Sequence, residues 1–197
     1  MRSTTPMRIA RTGSLVISAL LFALGAALLA SPGFPIGLLR ALTGAGMIAF
    51  GCVRIVGYLS KDLYRLAFQY GLAFGLLMAA LGLMVILEPD EVIDHIGIAV
   101  GIAALTDGLL SVQVSIDAKT FGIKRWWLIL AVSVLSAAVG ILLVFRTTES
   151  LRGLVIRIGI AEMTEALLTA VTVLSAVHII DNQYPDLIKE DYVEEEK

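Results

Sequence analysis

The chain has 197 residues, of which 58% are hydrophobic and only 16% charged, with a net charge of −2 and a single cysteine. A soluble domain of this size is nearer half apolar and a quarter charged, so the composition excludes one. It offers no cationic surplus to a nucleic acid, and a lone Cys52 excludes a disulfide framework or a multi-cysteine metal site.

Residues 1–12 carry Arg2, Arg8 and Arg11 and read as a cytoplasmic N-terminal segment. The first apolar run, 13–30, has the outline of a signal peptide. However, Leu28 stands where a small residue is needed ahead of a cleavage at Ala30. Five further runs follow at 36–59, 66–88, 92–115, 126–145 and 151–179. Each is long enough for a membrane helix of about 20 residues. Barrel strands would alternate apolar and polar residues, whereas these runs are apolar all round. Backbone groups in lipid must be satisfied within the segment, so the runs are expected to be helices. The outer turns fall at SPGFP (31–35), EPDEV (88–92) and RTTES (146–150). Lys and Arg concentrate on one side: Arg2, Arg8, Arg11, Lys61, Arg65, Lys119, Lys124, Arg125, Lys189 and Lys197 stand against Arg40, Arg146 and Arg152. The positive-inside rule then places both termini in the cytoplasm, with Trp126 and Trp127 in the inner interfacial belt. The tail, 181–197, is acidic and is expected to be solvated and disordered.

Superposing the runs exposes a threefold repeat. Gly25, Gly82 and Gly140 are 57 and 58 residues apart, as are Gly44, Gly101 and Gly159. Seven residues after the first set stand Pro32, Pro89 and Thr147; seven after the second stand Gly51, Gly108 and Ala166. The register of Gly25 with Gly82 identifies the first run as a retained helix rather than a cleaved leader. Two helices per unit is an even number, so the units enter the membrane the same way. The expected fold is an all-α membrane protein: six transmembrane helices as three parallel two-helix repeats (about 13–60, 66–116 and 126–180) in a compact bundle spanning 13–180. Gly25, Gly44, Gly51, Gly82, Gly101, Gly108, Gly140 and Gly159 are the expected helix-packing positions, since small residues let membrane helices approach closely.

The pattern stands as GAALLASP and GLMVILEP, then GAGMIAFG and GIAALTDG, with GILLVFRT and GIAEMTEA in the third copy. It resembles the HdeD-type acid-resistance membrane protein family over about 13–180, departing from it at Thr147 and Ala166. The resemblance implies a multi-pass protein of the bacterial or archaeal cytoplasmic (inner) membrane, linked in some members to acid stress. It brings no catalytic residues and no cofactor.

An ionisable residue at membrane depth costs at least about 2.5–3.5 kcal/mol, which makes it a functional candidate. Arg54, Asp107, Arg157, Glu162 and Glu165 are the candidates here. Asp107 and Glu165 are repeat equivalents, each preceded by threonine. At about 100° per residue, Glu162, Arg54, Asp107 and Glu165 share one sector beside the glycine face, so a common axis would gather them into a buried polar cluster. Arg157 lies about 80° from Glu165 and two turns away, a poor intrahelical partner. The cluster reads either as ion pairs that fix helix register or as a path for protons or a small solute. Three acids against two arginines nearly balance, which favours the first. A second group, Glu88, Asp90, Glu91, Asp94 and His95, sits in an outer turn that would titrate in mild acid. No Walker loop, dinucleotide fingerprint, metal motif or nucleophile elbow is present. The expected function is a non-enzymatic envelope or acid-stress protein of the HdeD type; the alternative is a small proton- or solute-conducting transporter or channel. Its expected partners are the lipid bilayer and, through the glycine faces, a homo-oligomer or another membrane protein.

Overall fold

The computed structural model describes residues 5–31, 33–59, 70–87, 93–145 and 150–194. Among the described residues there are six helices and no strand. They are α1 (Thr5–Ala30), α2 (Ile36–Leu59), α3 (Gly71–Leu87), α4 (Ile93–Thr120), α5 (Trp126–Phe145) and α6 (Leu151–Glu194). Four contain segments long and apolar enough to cross a membrane: Arg11–Ala30, Ile36–Leu59, His95–Thr120 and Trp126–Phe145; Gly71–Leu87 is apolar but shorter.

Three helices run beyond the apolar stretches that announce them. Apolarity marks only the part of a helix suited to hydrocarbon, whereas backbone bonding continues through polar residues of good helix propensity. So α1 begins at Thr5 rather than 13, and α4 continues past 115 to Thr120. The disordered tail expected from 181 is corrected in the same way: α6 continues through Pro185 to Glu194, along a segment rich in Leu, Ile, Lys and Glu. The end of α4 is chemically defined. Ile123 N–H donates to the Ala118 carbonyl and Gly122 N–H to that of Lys119, each at 3.0 Å. This closing motif needs a left-handed residue, which Gly122 supplies with φ 78°. Across the turn, the Lys119 ammonium lies 4.7 Å from the centre of the Trp126 ring.

The principal helix contacts are α1 with α6, α2 with α3, and α4 with α5. Glycine sets how close these pairs come. A methyl group added to Gly44 would stand 2.8 Å from the Gly82 carbonyl oxygen, and one on Gly82 2.7 Å from that of Gly44. Gly25 and Gly159 meet likewise, at 2.6 and 2.9 Å, and Gly101 would approach the Gly140 oxygen at 3.0 Å. One to two turns along, Gly51 and Gly75 face each other at 2.6 Å, and Gly108 sits 2.8 Å from the Ser133 oxygen. At the corresponding place in α1 and α6 a hydrogen bond replaces the glycines: Ser18 Oγ donates to the Ala166 carbonyl at 2.6 Å. Interhelical bonds of this kind are worth about 0.6 kcal/mol in a membrane protein. Ser18→Ala is therefore expected to lower stability by that small amount, read as a slightly lower unfolding temperature in detergent; a loss of several kcal/mol would mean that more than this bond is broken.

The surface is apolar. Leu20, Leu76, Leu109, Val134, Leu142, Phe145 and Leu174 are each more than half exposed. A continuous apolar exterior of this kind marks a surface that another apolar phase covers. Arg54, Asp107, Glu162 and Glu165 are buried instead. Together with the apolar helices, this inside-out distribution makes the chain a multi-pass integral membrane protein.

Candidate functional site

The ionisable groups at membrane depth come from α2, α4 and α6. Arg54 lies ten residues after Gly44, Asp107 six after Gly101, and Glu165 six after Gly159. Folding brings them together. Arg54 Nη2 donates to Asp107 Oδ1 at 2.9 Å and to Oδ2 at 2.7 Å. Both side chains are out of solvent, Asp107 as a residue being only 1% exposed.

Aromatic rings complete the cradle of the guanidinium. Arg54 Cζ lies 4.9 Å from the centre of Phe50 and 5.3 Å from that of Phe74. The two rings meet edge to face, at 85° and 6.1 Å. Phe50 precedes Arg54 by one turn on α2, where side chains stack. Phe74 belongs to α3, and the close Gly51–Gly75 approach is what lets it reach. A desolvated cation against ring faces gains roughly 2 kcal/mol. Charge, hydrogen bonding and ring contact thus all hold Arg54 in place.

Glu165 is held more loosely. Ser136 Oγ of α5 lies 3.3 Å from Glu165 Oε2 and 3.2 Å from the Ala104 carbonyl oxygen. One hydroxyl proton serves one of these acceptors at a time. Glu165 Oε1 has no hydrogen-bond partner among the described residues. Its carboxyl faces that of Asp107, with Arg54 and Glu162 beside it. Thr106 and Thr164, which precede the two equivalent acids, are occupied elsewhere: each hydroxyl donates to the carbonyl four residues back, Ile102 at 2.7 Å and Ile160 at 2.8 Å.

Two small cavities flank the ion pair. One, of about 20 Å³, is lined by Met47, Phe50, Ala104, Glu162 and Glu165 among others. The other, of about 10 Å³, lies toward the C-terminal ends of α2 and α4 and is lined by Arg54, Tyr70, Asp107 and Ser111 among others. A space of about 10–15 Å³ takes one water. No three His, Cys, Asp or Glu are placed to hold a metal ion among the described residues.

Four of the five intramembrane candidates therefore converge. The fifth, Arg157, is half-buried on α6, eight residues before Glu165, and has an interaction of its own. The outer turn is divided: Glu88, Asp90 and Glu91 lie outside the described residues, as does the side chain of Asp94, while His95 is exposed on the first turns of α4 and engaged in an interaction. Phe74 and Ser136 escaped the sequence reading. Both sit on apolar helices next to glycines or other small residues, and the signal for them was the small-residue spacing that brings α3 and α5 close.

Residues 16–87 and again 73–145 match a family described as a short repeat of unknown function (DUF308). The two matches begin with the same 57-residue offset that separates Gly25 from Gly82. No curated protein and no solved structure matches the chain.

Proposed function

Because the chain belongs to the DUF308 family, whose match falls on it twice, we propose that it is a non-enzymatic membrane protein of the HdeD type that serves the cell envelope under acid stress. One observation carries this reading: the glycine contacts form a closed circuit. Gly44 of α2 meets Gly82 of α3, Gly101 of α4 meets Gly140 of α5, and Gly159 of α6 meets Gly25 of α1. With the repeats taken as 13–60, 66–116 and 126–180, each contact joins the second helix of one unit to the first helix of the next. The last contact returns to the first unit. Three parallel two-helix repeats would close in this way.

A bundle so closed spends its small-residue faces on internal packing and turns its large apolar side chains to lipid. One of its axial acids is compensated on the spot, Asp107 by Arg54. The outer connectors of about five residues leave no room for a catalytic domain. The resemblance and the Lys and Arg distribution support a bacterial or archaeal cytoplasmic membrane with both termini inside, and assembly with further copies or another membrane protein.

Cells deprived of the chain are expected to survive an acid challenge less well, and the wild-type chain to restore survival. Gly140→Leu, which breaks the circuit, is expected to fail in that rescue. Equal survival with and without the chain would rule the stress role out.

A further inference from the structure

The buried acids are continued by hydroxyls on one side and by hydrocarbon on the other. On α4 the inward face runs Asp107, Ser111, Ser115; on α6 it runs Glu165, Thr169, Thr172, Ser175. All seven are at least nine-tenths buried. Ser111 and Thr169 occupy the repeat position of Arg54, ten residues after Gly101 and Gly159. Thr169 Oγ1 and Thr172 Oγ1 have no hydrogen-bond partner among the described residues, nor does Arg54 Nε. Ser14 Oγ is a further unpartnered hydroxyl. In the antiparallel α1–α6 pair, fixed by Gly25–Gly159 and Ser18–Ala166, Ser14 falls level with Thr169 and Ala170. A buried hydroxyl costs free energy unless something satisfies it, and water commonly does.

Toward the other end the pattern inverts. Leu39, Ile96 and Leu154, each five residues before its repeat glycine, are buried together in the apolar core. Thr43 is the one unpartnered hydroxyl there among the described residues.

We infer that Glu165, with Asp107 and Glu162, forms a proton-binding site reached by water from the end where α2 and α4 finish and sealed at the other end by Leu39, Ile96 and Leu154. Glu165 Oε1 is a buried acceptor without a donor, and the carboxyl lines a cavity wide enough for one water. A hydronium ion arriving along the hydroxyls gives its proton to this oxygen and leaves as water. The new O–H then donates to the facing Asp107 carboxylate, since two facing carboxyls can bond only through a proton. The groups around Glu165 are Arg54 of α2, Asp107 of α4, Glu162 of α6 and the Ser136 hydroxyl of α5; Leu21 of α1 and Met78 of α3 close the cavity wall. One cation faces three carboxyls, so the site has acceptor capacity beyond its ion pair.

Infrared spectroscopy of the full chain in lipid vesicles tests this. The wild type is expected to show a protonated-carboxyl C=O band that shifts in D2O. Glu165→Gln should lose that band; should this variant not fold, Glu162→Gln is expected to move the band through their shared cavity. The near-isosteric Thr169→Val with Thr172→Val should keep the band but delay its shift. A band untouched by the glutamine variants, or one that never exchanges in D2O, would overturn the site. Exchange in the valine variant as fast as in the wild type would overturn the route. Proton flux above that of protein-free vesicles would overturn the seal.

Discussion

Gly140→Leu is expected to leave no folded bundle. A Cβ at this position would run into the backbone nitrogen of Leu105 and stand 2.7 Å from the Gly101 oxygen and 2.8 Å from Leu105 Cα. All three atoms are main chain, so no rotamer change relieves the clash, and α4 and α5 must separate. Overpacking a core costs about 1–3 kcal/mol when side chains can give way; here alanine should already reach the upper end of that range, and leucine should exceed it. Separation would also strip Ser136 from Ala104 and Glu165, so the loss reaches the buried site. Gly37→Leu is the internal control, because nothing lies near Gly37. Size-exclusion profiles and thermal unfolding in detergent decide the matter. A Gly140→Leu protein that elutes and melts like Gly37→Leu would mean that α4 and α5 are not packed this closely.

Asp107→Ala is the second large effect. It leaves a buried arginine without its counter-charge, and breaking a buried pair from one side costs about 3–5 kcal/mol. The rings of Phe50 and Phe74 offset only part of this, roughly 2 kcal/mol for a desolvated cation and already present in the wild type. Adding Arg54→Met removes the orphaned charge, and the double variant should recover most of the loss, because exchanging a whole buried pair for apolar groups is often neutral. Unfolding temperatures of the two single variants and the double test the coupling. If Asp107→Ala melts with the wild type, Arg54 takes its charge balance from another group and the pair described here is not what holds it.

The convergence of Arg54, Asp107, Glu162 and Glu165 was legible because it depends on a period. Residues at fixed offsets from equivalent glycines share a face of their helices, and parallel helices about one axis bring such faces together. Phe74 was not legible in the same way. Its contact with Arg54 depends on how deeply α3 sinks against α2, a distance set by Gly51 and Gly75 jointly, and neither glycine names its partner across the chain. Which helices pair was equally hidden. Nothing in the repeat pattern names the partner of a helix, and α1 packs chiefly on α6. The ends of α1, α4 and α6 were misjudged because hydropathy reports the solvent a segment prefers, whereas a helix stops only when its backbone bonding stops. At Gly122 that stop is written in a single residue; after Ser175 no glycine appears, and Pro185, a residue that often ends a helix, is passed through to Glu194.

The circuit of glycine contacts also bears on ancestry. On the three-repeat reading proposed above, every link in it runs between units, so three separate two-helix chains could close the same ring as a symmetric trimer. Such a trimer must place identical residues at each level of its axis. Fusion into one polypeptide lifts that restriction, so that a single level can hold Phe50, Asp107 and Glu165, and the next Arg54, Ser111 and Thr169. A three-way copy of any one of these centres would stack like charges or none at all. On that reading, joining the units end to end would allow a cation, its counter-ion and an additional acid to meet at the middle of one ring.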